Sequence, residues 1–124
     1  MRGSAILAHA GAVGFLVNMV LHTSAIGPVG RMAGAASKQL AALVPLLWLL
    51  FSLVLLLFGL IVMVHARPAT PQRRPVLICA GIFPLATAVG QLVAFGWIFP
   101  ELTLALTGIL TLWAATTSPV PREQ

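Results

Sequence analysis

Three histidines, His9, His22 and His65, are the side chains best suited to hold a metal or a haem, because a neutral imidazole offers a ring nitrogen as ligand. His9 and His65 fall toward the same end of the predicted helices. A pair facing inward across antiparallel neighbours there would make a bis-histidine site. Nothing completes a metal set around them. The only carboxylates are Glu101 and Glu123, and the one cysteine, Cys79, sits in an apolar run. A zinc site needs a closed set of nitrogen, sulfur or carboxylate ligands, and no such spacing is present. A haem or metal site is therefore the least favoured reading, and no cofactor is expected.

The same inventory bears on catalysis. Proton-coupled membrane proteins commonly place Asp or Glu within their spans, and neither glutamate falls inside an apolar stretch. There is no Ser–His–Asp set, no glycine-rich phosphate loop and no HExxH motif. The expectation is a protein that is not an enzyme. What remains is a set of uncharged polar residues, Asn18, Ser52, Gln91, Thr107 and Thr111, each in an otherwise apolar stretch. Such side chains are costly facing lipid and should turn inward. At 1.5 Å per residue across a core of about 30 Å, Asn18, Gln91 and Thr107 come to similar depths, roughly 20–23 Å from the inner surface. Hydrogen bonds among them are expected, about 0.6 kcal/mol per contact. This polar layer is either interhelical glue or the floor of a cavity opening outward past His22 and Glu101.

The elements that must position these residues follow from composition. The chain has 124 residues, 60% hydrophobic and 7% charged, with mean hydropathy +1.05. Soluble domains carry about 25% charged residues, so this chain cannot cover a water-facing surface. A spanning helix needs about 20 apolar residues. Four stretches are candidates, with helices at about 4–26, 40–65, 76–99 and 102–117, the last of them marginal at 16 residues. The expected fold is all-α, a membrane-spanning up-down four-helix bundle forming a single domain over residues 1–124. Residues 27–39 read as a Gly/Ala-rich loop, 66–75 as a basic cytoplasmic hinge, Pro100–Glu101 as a tight turn and 118–124 as a flexible tail. Pro84 predicts a bend in the third helix near residues 80–84.

Charge sets the orientation. Arg2, Arg67, Arg73, Arg74 and Arg122 fall on one side, Arg31 and Lys38 on the other. Five against two places both termini in the cytoplasm. The net charge of +5 is thus a topology signal, and no nucleic-acid partner is implied. Arg67, Arg73 and Arg74 are candidate contacts for anionic lipid headgroups. Small residues recur at every fourth position, as Ala86, Gly90 and Ala94 and as Thr103, Thr107, Thr111 and Ala115. Gly11, Gly14, Asn18 and His22 share one side of the first helix. These faces suit close helix packing.

His22 and Gly27 after the first helix, Trp48 and Ser52 in the second, and the run Gly96–Trp97–Ile98–Phe99–Pro100 together resemble small uncharacterised bacterial four-helix integral membrane proteins. Leu49 stands where that pattern has a histidine following the tryptophan. The resemblance implies a multi-pass protein of the bacterial inner membrane and no mechanism. On the residues themselves, the leading expectation is a non-enzymatic accessory or assembly partner of a larger membrane protein. The alternative is a small transporter or lipid-binding protein acting as a homo-oligomer. The lipid bilayer is the one partner common to both.

Overall fold

The computed structural model describes residues 2–67, 70, 72–95 and 99–117, without the side chains of Arg2, Ala94, Phe95 and Phe99. The tail 118–124, the hinge residues Pro68 and Pro71, and Gly96–Ile98 with Trp97 lie outside the described residues. Among the described residues the chain is all-helical: α1 (Arg2–Ser24), α2 (Ile26–Ala36), α3 (Lys38–Val64), α4 (Arg73–Phe95) and α5 (Phe99–Thr116). Three helices are long and apolar enough to cross a membrane: Gly3–Ser24, Lys38–Val64 and Arg73–Val93. The polarity of the packing suits that setting. Leu46, Leu50, Leu53, Leu57 and Leu60 on α3 are half exposed, whereas Asn18, Ser52, Thr107 and Thr111 are buried. In lipid, leucine outside and hydrogen-bonded polar groups inside is the stable arrangement.

The segment expected to be a loop is helical, so five helices stand where four were expected. Residues 26–36 hold three glycines, which suggested a loop, but also Ile26, Met32, Ala33, Ala35 and Ala36, which favour a helix. Pro28 lies in the first turn of α2, where no intrahelical N–H is needed. A helix also satisfies backbone groups that an apolar surrounding leaves without water. Ser37 ends α2 in an extended conformation and caps α3, its Oγ accepting from Leu40 N at 3.1 Å. The pair therefore folds back on itself, Gly30 lying over Pro45 and Gly34 over Ala41.

The remaining helices do not pack in chain order. α1 packs against both α3 and α5, and α5 packs against α4, while α3 and α4 meet sparsely. The α1–α5 seam is closely fitted. A Cβ on Gly11 would collide with Thr111 Oγ1, and one on Gly14 with Thr107 Oγ1. The threonine face expected on the last helix thus seats directly on the glycines of the first. On α4 the close approach uses Gly81, whose carbonyl lies 2.8 Å from where a Cβ of Gly108 would sit. The expected small-residue face is not the one used: Ala86 and Gly90 are exposed, because Leu77, Ala80, Pro84 and Ala88 define the buried stripe. α4 continues through Pro84, which is fully buried.

Aromatic rings fill the gap between α1, α3 and α4. Phe15 stacks on Phe58 at 5.8 Å, Phe58 on Phe83 at 4.6 Å, and Phe83 meets Phe51 at 5.9 Å between ring centroids. Ring pairs at such separations add about 0.5–1.5 kcal/mol beyond their buried area.

Two residues near the basic connection depart from expectation. Arg73, a candidate headgroup contact, is only 4% exposed, and its guanidinium donates to the carbonyls of His65 and Ser4, each at 2.9 Å. It turns inward because α4 begins at Arg73, which brings the side chain beside the ends of α3 and α1. Arg67 and Arg74 are exposed. Gln72, just before α4, has φ of 57°. That left-handed conformation strains a residue with a Cβ. Gln72→Gly is expected to stabilise the protein by up to about 1 kcal/mol, read as a higher midpoint of unfolding in mixed micelles. A lower midpoint would show that the glutamine side chain contributes more than the strain costs.

Candidate functional site

The polar residues of the interior divide into two groups. The first is a closed network between α1 and α5. Asn18 Nδ2 donates to Gly14 O at 2.9 Å and to Thr107 Oγ1 at 3.0 Å, and its Oδ1 accepts from Thr103 Oγ1 at 2.6 Å. Thr107 Oγ1 donates to Thr103 O and Thr111 Oγ1 to Thr107 O. Asn18, 4% exposed, thus has both ends of its amide engaged. Thr103, outside the expected polar layer, completes it. This cluster holds two helices together, and of its members only Asn18 borders the cavity beside His22 and Gln91.

The second group borders a cleft at the α2 end of the bundle. His22, near the end of α1, lies flat on Trp48 of α3, ring centroids 3.9 Å apart and planes within 10°. Phe51 also meets the imidazole, tilted by 50° with ring centroids 4.7 Å apart. Trp48 Nε1 donates to the carbonyl of His22, and the imidazole Nδ1 is 3.0 Å from Ser52 Oγ, which also bonds Trp48 O at 3.1 Å. α3 makes this possible because Trp48 and Ser52 are one turn apart and share a face. The histidine is thereby fixed in position, and no hydrogen bond engages its Nε2 among the described residues.

Gln91 enters from α4. Its Oε1 is buried and has no hydrogen-bond partner among the described residues. A buried unsatisfied acceptor costs about 1–3 kcal/mol. Gln91 lines a partly enclosed cavity of about 80 Å³ together with Asn18, His22, Trp48, Phe51 and Pro100. It also lines a wider groove of about 510 Å³ that runs from Trp48 past Val44 and Leu40 to Val29, Met32 and Ala33 of α2. Small-molecule sites are commonly about 300–1,000 Å³ and mostly apolar, with a few placed polar groups. No Asp, Glu, Lys or Arg lines either space.

Comparison with protein-family models, with curated proteins and with solved structures returned no match. What the arrangement can do rests on its geometry alone.

The structure distributes the expected site residues unevenly. Asn18, Thr107 and Thr111 come together along the α1–α5 seam, and Ser52 instead pairs with His22. Gln91 shares a cavity wall with Asn18 but no hydrogen bond. Glu101, expected at an outer mouth, is 3% exposed in the first turn of α5. The helix starts at Phe99, so 100–101 form no separate turn, and a carboxylate in a first turn is favoured by the helix dipole. Pro100, not Glu101, borders the cleft. The two other histidines each satisfy their own helix, His9 Nδ1 on Ala5 O and His65 Nδ1 on Ile61 O, both at 2.8 Å. No group of three metal-ligating side chains occurs among the described residues. The His22–Trp48 stack was not anticipated. Its signal lay in Trp48, Phe51, Ser52 and Leu55, which recur at helical spacing on one face of an otherwise leucine-rich span.

Proposed function

We propose that the chain is a multi-pass protein of the inner membrane that binds a lipid-soluble molecule in the His22–Trp48–Gln91 cleft and catalyses no reaction. The observation that carries this reading is the buried, partnerless Oε1 of Gln91, a residue that lines both a small, mostly apolar cavity and a larger apolar groove. An acceptor held in that state is relieved by a ligand that brings a donor. The distribution of arginine and lysine supports both termini being cytoplasmic, with α5 as a fourth span and α2 on the outer side. The resemblance to small bacterial four-helix membrane proteins agrees with that location. An accessory or assembly role rests on the lack of a catalytic set and on packing faces, and the cleft favours ligand binding over it.

The test is purification in mild detergent followed by native mass spectrometry. A bound lipid-soluble molecule, one per chain, is the expected result, with loss of that molecule in Val44→Trp, which fills the groove. A stoichiometric larger membrane protein accompanying an empty cleft would overturn the proposal in favour of the accessory role. Reporter fusions after Arg74 and at Gln124 should both read cytoplasmic, and a fusion at Gly34 external. A C-terminus on the outer side would remove α5 as a span.

A further inference from the structure

We infer that the ligand is an uncharged single-chain amphiphile, its hydroxyl-bearing headgroup at Gln91 and His22 and its chain along the groove between α2 and α3. This inference rests on the reading of the cleft as a binding site and narrows it to a chemical class.

The polar groups around the cleft identify the headgroup by elimination. Asn18 is committed to Gly14, Thr103 and Thr107. The Trp48 indole N–H is committed to the His22 carbonyl, and Ser52 to Trp48 O and the imidazole Nδ1. The groups left without a hydrogen-bond partner among the described residues are the Gln91 amide, Oε1 and Nε2 alike, and His22 Nε2. Gln91 Oε1 accepts and its Nε2 donates, so the headgroup must be able to do both. A pair of hydroxyls suits both residues, one donating to Gln91 Oε1 and the other to the imidazole Nε2, which is an acceptor because Ser52 Oγ gives its proton to Trp48 O and so accepts from Nδ1–H.

Charge excludes the commoner headgroups. A carboxylate or phosphate brought into this space would find no lysine or arginine among the described lining residues, and an ammonium would find no carboxylate. An unpaired ion in an apolar cavity is strongly disfavoured. The body of the ligand is set by the groove, which is lined by Val29, Met32, Leu40 and Val44 and reaches the polar end at Trp48 and Gln91. Polar tip and apolar channel are therefore continuous, and their junction is the ring on which His22 stacks.

Trp48 is also the reporter. The chain has three tryptophans and no tyrosine, so Trp97→Phe with Trp113→Phe leaves Trp48 as the fluorophore. That protein, in phosphatidylcholine vesicles, is titrated at low mole fraction with three probes carrying brominated chains: a monoacylglycerol, a fatty acid and an alkyltrimethylammonium. Saturable quenching by the monoacylglycerol is expected, at least tenfold tighter than by either charged probe. Gln91→Met, which keeps the volume and removes the acceptor, should weaken it about tenfold, and His22→Phe, which keeps the ring stack, should also weaken it. Leu40→Phe, at a residue that lines the groove but neither space that His22 borders, should block the probe and so serves if the Gln91 variant does not fold. Equal or tighter binding of a charged probe, or no change in Gln91→Met, overturns the headgroup assignment while the cleft stands as a site. No saturable quenching by any of the three probes overturns the site itself.

Discussion

Gly11→Leu is expected to pull α1 away from α5 and to destabilise the protein by about 3 kcal/mol or more. The Cβ alone would overlap Thr111 Oγ1, and Thr111 is fully buried, so the new side chain has nowhere to go. Overpacking a tight core costs about 1–3 kcal/mol, and separation of the helices also breaks the Asn18–Thr107 bond. The measurement is an unfolding titration with sodium dodecyl sulfate in mixed micelles. A graded version isolates the cause. Gly11→Ala should cost about 1–3 kcal/mol. Adding Thr111→Ala removes the colliding oxygen and leaves contacts of 3.4 Å to the rest of residue 111, which neighbours can accommodate. The double variant should recover at least half of the loss. If it is simply additive, the Gly11–Thr111 contact does not set the helix separation.

Arg73→Met is the second large effect, about 2–4 kcal/mol. Its guanidinium joins three chain segments, donating to the end of α3 and the start of α1 from the first residue of α4. Hydrogen bonds from a charged donor contribute about 1.5–3 kcal/mol each. The methionine fills part of the volume but donates to neither carbonyl. Arg67→Met and Arg74→Met, at exposed positions, should each change stability by less than about 0.5 kcal/mol. All three variants remove one positive charge, so their effects on orientation should be alike. Equal stability losses at 67, 73 and 74 would restore the view that the three arginines act together at the headgroups.

These residues also mark what could be read from the sequence. The apolar runs were legible because lipid demands long uninterrupted helices, and the first, second and third spans fall close to their expected bounds. Of the expected polar layer Asn18, Ser52, Thr107 and Thr111 are buried, while Ser4, Arg73 and Glu101, also buried, were not expected inside. The partners of these residues were not legible. Depth follows from rise per residue, but the azimuth of a side chain depends on how its helix is rotated against its neighbours. Asn18 and Gln91 have similar expected depths, and only Asn18 meets Thr107. Arg73 was misread because an arginine at a span's end ordinarily reaches for water, and only the tertiary meeting of three helix ends supplies acceptors for it inside. α2 was misread because glycine spacing outweighed the helix-forming residues between.

The pairing of the first helix with the last has a consequence for biosynthesis. Asn18 and Thr107 lie 89 positions apart, and the residues between them must be made before the bond can form. α1 is made first, before any other helix can meet its amide, glycines and His22. α3 arrives next and supplies Ser52 and Trp48 for the histidine, but the asparagine still waits. Until α5 is made, the growing chain carries a polar ledge, Asn18 and the glycines beside it, whose amide has only the Gly14 carbonyl as partner. A chain cut short of its last helix keeps that ledge on its surface, and so is distinguishable, by chemistry alone, from a finished one.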